Sequence, residues 1–335
     1  MFTEELHGTA RAMVSRPRGI LAADESIGTM SSRLEKAGVP VSAENRRAYR
    51  QMLLTTPELH RGISGVILSD ETFNQKLDDG QDFPLALHEL GILPGIKVDT
   101  GAKPLAFSPG EKVTEGLDGL RERLKEYVSR GARFAKWRAV IIIGDGLPTR
   151  NALRANAHAL ARYAALCQES CVVPIVEPEV LMDGDHAIDR CAEATRATLE
   201  HVMAELDEAG VDFAGTVLKP NMVVPGSTSG QQASPEEVAE QTVATLRAVL
   251  PESLAGVAFL SGGQSPEVAT ANLAAMQKHE TPWPLTFSFG RALVDPALKA
   301  WHGDATLIAA GQQALADRVR PNSEAVARQE AGAPV

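Results

Sequence analysis

Cysteine is scarce in this 335-residue chain: Cys167, Cys171 and Cys191 are the only three. A small odd number with no secretory context excludes a disulfide framework and fits reduced thiols. Cys167 and Cys171, in a stretch with helical periodicity, are expected to pack on one helix face; a CxxxC metal or redox pair is the alternative. Long apolar runs are missing as well. No segment approaches the roughly 18 residues that a membrane span requires. The opening MFTEELHGTARAMVSRPRGI mixes acids, bases and Pro without the apolar centre of a secretory signal, so a cytoplasmic location is expected. Positive charge is in deficit. A formal net charge of −10 argues against nucleic-acid or membrane partners, because either surface demands a basic field over much of the protein. Any anionic partner must then meet a local cluster of Lys or Arg. Metal-ligand spacing is lacking too: the histidines, at 7, 60, 88, 158, 186, 201, 279 and 302, are scattered, with no ligand pattern at strand ends. No metal and no cofactor is expected. In MDGDHA, the run Asp183, Asp185, His186 reads as a loop in which Asp185 caps the next helix rather than as a metal site.

What is present is the composition of a globular protein. Hydrophobic residues make up 44% and charged residues 23%, close to averages of about 45–50% and about 25%. The length is ordinary for one α/β barrel, about 250 residues plus insertions. Short apolar runs that end in polar or charged residues recur: GILAADES at 19–26, GVILS at 65–69, GIKVD at 95–99, FAKWR at 134–138, VPIVEP at 173–178, GTVLKPN at 215–221, GVAFLSGG at 256–263 and LTFSFGR at 285–291. Between them, 115–130, 152–169, 187–209, 235–249 and 266–278 carry apolar residues at helical spacing. Strands alternating with helices predict a parallel sheet, and eight such units close into a (β/α)8 TIM barrel. An open doubly wound sheet would carry a Gly-rich phosphate fingerprint after its first strand, which GILAADES lacks. We therefore expect a single domain over residues 1–320, followed by a mobile tail, 321–335.

In such a barrel the site lies at the C-terminal ends of the strands, which is where Asp24, Lys97, Lys136, Glu177, Lys219, Ser261 and Arg291 fall. Any one of these taken alone could be a structural ion pair. Lys219 stands out because it ends an apolar run and precedes Pro220, which stops the ladder, and lysine is rarely buried without a purpose. A lysine that attacks a carbonyl must first lose its proton; partial burial and a nearby cation, Lys136, favour that loss. Glu177 between them can shuttle protons. Lys219 in a buried ion pair with Glu177 or Glu179 is the alternative. After the last two strands, SGGQ exposes backbone N–H groups at Ser261, Gly262 and Gly263, and FGR adds Gly290 and the Arg291 guanidinium. Loops there frequently bind phosphate, although Gly262 and Gly263 can also simply form a turn.

With these residues in hand, the chain resembles the class I fructose-bisphosphate aldolases, the metal-independent, Schiff-base-forming enzymes of glycolysis. GILAADES, ENRRAYRQMLLT, ETFNQK, FAKWR, VPIVEPE, VLKPNM, FLSGGQS and LTFSFGRAL carry the resemblance, which extends over about residues 5–315. It implies reversible cleavage of fructose 1,6-bisphosphate, with Lys219 as the Schiff-base lysine and Glu177 as the proton shuttle. It further implies Asp24 as the base at the C4 hydroxyl, Lys136 as the cation beside the carbinolamine, and Glu179 holding the lysines by ion pairing. Ser261, Gly262, Gly263, Ser288, Gly290 and Arg291 would bind the C1 phosphate. Ser26, Thr29, Lys97, Arg33 and Arg138 would meet the far one. The resemblance also implies a homo-oligomer, with tetramers common.

One departure is evident. Animal members end in a tyrosine held to help protonate the enamine, whereas here the last tyrosine is Tyr163 and the chain ends AGAPV. Glu177 or a water must then do that work, or the step is slower. Competing readings are a lysine aldolase acting on a keto-sugar acid, which needs no second phosphate cluster, and a non-catalytic sugar-phosphate binder or scaffold. The binder has no use for Lys219, Glu177, Asp24 and Lys136 together.

Overall fold

Each of the eight apolar runs forms a strand, and the computed structural model describes them within residues 2–327. The strands are β1 (Gly19–Ala23), β2 (Ile63–Leu68), β3 (Leu93–Lys97), β4 (Phe134–Ile141), β5 (Val173–Val180), β6 (Val217–Leu218), β7 (Gly256–Phe259) and β8 (Leu285–Phe289). They pair in parallel in chain order, and β8 returns to β1, so the barrel is closed. Closure leaves no sheet edge exposed.

Alternation along each strand divides the side chains between two faces. Ile20, Ile67, Phe134, Val173, Ile175, Val217 and Ala258 meet as one buried cluster inside the barrel. Their neighbours in sequence, among them Leu21, Val66, Ala135, Val176, Leu218 and Phe259, belong instead to the larger core under the helices. Burying each large aliphatic or aromatic side chain in this way contributes about 1.5–3 kcal/mol. Phe134 needs room inside the barrel: a Cβ on Gly95 would stand 2.2 Å from its ring, so glycine at that inward position of β3 is obligatory. The N-terminal helix Phe2–Met13 lends Leu6, Ala10 and Met13 to the inner cluster. It plugs the N-terminal end of the barrel, a role that its mixed composition did not suggest.

Four of the five expected helices form within two residues of the periodic stretches, at Arg150–Glu169, Ile188–Glu208, Pro235–Arg247 and Pro266–Met276. The fifth is shorter, Leu120–Ser129, because Glu115 belongs to an antiparallel hairpin, Gly101–Pro104 with Lys112–Glu115. Gly116 (φ +130°) and Gly119 (φ +67°) adopt conformations that no helix contains. The helix Ile188–Glu208 is not capped by Asp185: its N-cap is Ala187, and Gln231 Oε1 accepts from Ile188 N at 3.0 Å. Cys171 lies beyond the end of its helix at φ +56°, half-buried, so it does not share a helix face with the buried Cys167. None of the three cysteines forms a disulfide.

The expected tail also begins differently. The last helix, Ile308–Ala327, runs straight through Pro321 and buries Asn322, Ala325 and Val326. Proline removes one backbone hydrogen bond, and the turn that contains it is anchored through its neighbour Asn322: the Nδ2 donates to Arg318 O at 2.7 Å and the Oδ1 accepts from Thr270 Oγ1 at 3.0 Å. The rest of that expectation, 328–335, lies outside the described residues.

Candidate active site

The inner face of the barrel changes character by a local rule. Two residues beyond an inward apolar side chain comes the next inward side chain, and here it is charged: Lys136 after Phe134, Glu177 after Ile175, Lys219 after Val217, Asp24 after Ala22. The ladder carries Lys219 just far enough. Its N–H bonds Val176 O at 2.8 Å, and Pro220 then ends the strand.

These four side chains form one buried cluster. Lys219 Nζ stands 3.1 Å from Glu177 Oε1; Lys136 Nζ stands 3.1 Å from Glu177 Oε2 and 2.8 Å from Asp24 Oδ2. Two cations thus face two anions. Burial alone pushes Asp24 and Glu177 upward, but Lys136 and Lys219 outweigh it and hold both carboxyls below their ordinary values. Burial pulls Lys136 down, yet Asp24, Glu177 and Asp99 raise it well above an ordinary lysine, so it stays an ammonium. Glu177 Oε2 makes no hydrogen bond among the described residues. The Lys136 ammonium stands beside it at 3.1 Å as an ion pair, so Oε1, beside Lys219, is the oxygen placed for proton exchange with the nucleophile.

A cleft of about 990 Å³ opens over the cluster and is lined by every candidate catalytic and substrate-binding residue except Gly263. Ser26 caps the helix Ile27–Lys36, accepting from Thr29 N at 3.2 Å. Ser261 is nearly buried, Gly262 (φ +55°) and Gly263 (φ +87°) turn the chain beside it, and Gly263 lies next to Arg291. The buried Ser288 hydroxyl has no hydrogen-bond partner among the described residues. Three expected ligands are already engaged. Lys97 Nζ bonds Asp99 Oδ1 at 2.6 Å, Arg138 pairs with Glu179, and Arg33 pairs with Glu25 and Asp295. Glu179 therefore holds Arg138, not the lysines: Val140 pairs with Glu179 and Arg138 with Glu177 in the β4–β5 register, so the guanidinium reaches the outer carboxylate and the lysines are left to the inner one.

The family follows from comparison as well as geometry. A family model described as fructose-bisphosphate aldolase class-I matches residues 5–333. The chain belongs to the class I fructose-bisphosphate aldolases. It is 54% identical over 324 residues to a probable fructose-bisphosphate aldolase class 1 of Xanthomonas campestris pv. campestris, covering 96% of this chain and 97% of that one. It is 49% identical over 326 residues to the cytoplasmic isozyme of Spinacia oleracea, covering 97% and 91%. Among solved structures, an aldolase from Plasmodium falciparum, crystallised with TRAP and a small-molecule inhibitor, superposes with a TM-score of 0.96 at 44% identity, covering 99% and 96%. No helix among the described residues is long and apolar enough to cross a membrane.

Sequence reasoning passed over Asp99, Glu25 and Asp295 in this aldolase site. Asp99 carried a faint signal, two residues after Lys97 and so on the same side of the chain. Glu25 and Asp295 carried none, because their partner Arg33 comes from another element in each case.

Proposed function

We propose that the cleft cleaves fructose 1,6-bisphosphate reversibly to dihydroxyacetone phosphate and glyceraldehyde 3-phosphate, through a Schiff base on Lys219. The observation that carries this reading is the contact chain Lys219–Glu177–Lys136–Asp24, sealed at the bottom of a cleft rimmed by Lys and Arg. Glu177 accepts a proton from the Lys219 ammonium, and the neutral amine adds to the C2 carbonyl. The same carboxyl returns its proton to the C2 hydroxyl, which leaves as water, and an iminium remains. As Asp24 takes the proton of the C4 hydroxyl, the C3–C4 electron pair moves toward the iminium nitrogen and the aldehyde triose departs. Asp24, held ionised by its lysine neighbours, is a base at neutral pH. The proton that Asp24 accepted is then relayed through Glu177 or a water to C3 of the enamine, and water hydrolyses the restored iminium, releasing the second triose and the Lys219 amine.

Lys136, raised by Asp24, Glu177 and Asp99, keeps its charge throughout. Two cation groups flank the cluster, which favours a bisphosphate over a keto-sugar acid. The Arg291 side, with Ser261, Gly262, Ser288 and Gly290, takes the C1 phosphate; the Ser26–Thr29 side, with Arg33, Lys97 and Arg138, takes the far one. We further propose a cytosolic homo-oligomer, to be sized by light scattering.

The deciding test is incubation with dihydroxyacetone phosphate and sodium borohydride in the presence of EDTA, followed by peptide mass spectrometry. A reduced adduct on Lys219 is expected. Labelling elsewhere, or cleavage that proceeds with no adduct, would overturn the assignment.

A further inference from the structure

The cations lining the cleft are unequally committed. Lys97, Arg138 and Arg33 each have a carboxylate partner, and those carboxylates differ in how firmly they are anchored. Asp99 is 2% exposed and also accepts from the backbone N–H groups of Gly101 and Arg138. Glu25 is gripped from behind by the buried Arg50, whose Nη2 donates to Glu25 Oε2 at 2.8 Å. Asp295 has neither kind of support. It is 44% exposed and touches Arg33 Nη2 through one oxygen, its one ion pair among the described residues. It sits on the helix Arg291–Trp301 with Arg291 one turn before it and Lys299 one turn after.

Arg33 therefore has one firm partner and one loose one, on different nitrogens: Nη1 on Glu25 and Nη2 on Asp295. A phosphate arriving at the mouth needs the guanidinium edge that Asp295 occupies, and two anions cannot share it without mutual repulsion. Moving Asp295 into solvent, or onto Lys299 four residues further along the same helix face, costs little because the carboxylate is half in water already.

We propose that Asp295 is the exchangeable counter-ion of Arg33: it holds the guanidinium in the free protein and gives way when the substrate's C6 phosphate binds. Asp295 thereby sets specificity, since a bisphosphate must displace it and a substrate without the C6 phosphate need not. The inference rests on the aldolase reading above and concerns the far end of the same cleft.

The test is steady-state kinetics of Asp295→Asn, which removes the charge at an exposed position and keeps the shape. The KM for fructose 1,6-bisphosphate is expected to fall about fivefold, in the range of an exposed ion pair, while the KM for fructose 1-phosphate does not move. In an Arg33→Gln background the same substitution is expected to change neither value. An equal shift for both substrates, a shift that survives Arg33→Gln, or no shift at all would overturn the proposal. Borohydride labelling of wild-type Lys219 in the same preparation separates the two failures: labelling with no KM shift sinks the role of Asp295 alone, and absent labelling sinks the reading beneath it.

Discussion

Lys219 Nζ lies 3.1 Å from Glu177 Oε1, and both side chains are almost completely shielded from solvent. At that distance a proton passes directly between nucleophile and carboxylate without water. The other oxygen of Glu177 faces Lys136, so the carboxylate is held between a lysine that must lose its proton and one that must not.

Replacing Glu177 with Gln keeps the shape and abolishes proton transfer. We expect kcat to fall by about 10²–10⁴, the usual range for one acid–base group, with KM little changed. Borohydride trapping should slow in parallel, because carbinolamine dehydration uses the same carboxyl. Normal trapping with slow cleavage would confine Glu177 to a later step.

Lys136→Met leaves Asp24 and Glu177 buried with one cation between them. Breaking a buried pair costs about 3–5 kcal/mol, to be read from urea unfolding at pH 7. The sign with pH follows from the carboxyls. In the wild type both are depressed in the folded state, so their stabilising contribution is present above the unfolded value of about 4 and lost as pH falls through the folded one. The variant has lost that depression, and its carboxyls can take protons when the pH drops. The stability gap between variant and wild type should thus shrink from pH 7 toward pH 4. A gap independent of pH would mean that Lys136 acts by packing.

Arg291 is exposed at the cleft and makes no ion pair among the described residues, so its guanidinium is free to meet a phosphate. Arg291→Ala should lower kcat/KM by about 10- to 100-fold, the equivalent of about 1.5–3 kcal/mol for a hydrogen bond to a charged group. Arg291→Lys should recover part of the loss, since it restores the charge without the two-point fork. If Ala and Lys behave alike, planarity matters and charge does not.

Much of this was legible in the chain because strand alternation is local. VPIVEPE and FAKWR state outright that apolar residues face inward and charged ones come next, and the eight repeats of that pattern place the charges at one end of a barrel. The misreadings have equally local causes. The stretch from Glu115 looked helical because apolar periodicity does not register Gly116 and Gly119, whose left-handed backbone stops the helix. The stretch after Pro321 looked like a tail because its composition is small and polar, while its burial depends on Thr270 and Arg318, the latter already seated on Pro266 O at 2.6 Å.

The strands, the inward charged layer and the family are all legible in the order of residues, since each follows from neighbours in the chain or from motifs read in succession. Which charge answers which was settled by packing in three dimensions. Glu179 pairs with Arg138, Lys97 with Asp99, and Arg33 with both Glu25 and Asp295. Closing the barrel brings Arg33 and Asp295 together from opposite ends of the chain, and pairing of that kind depends on distance in space, on which the order of residues is silent.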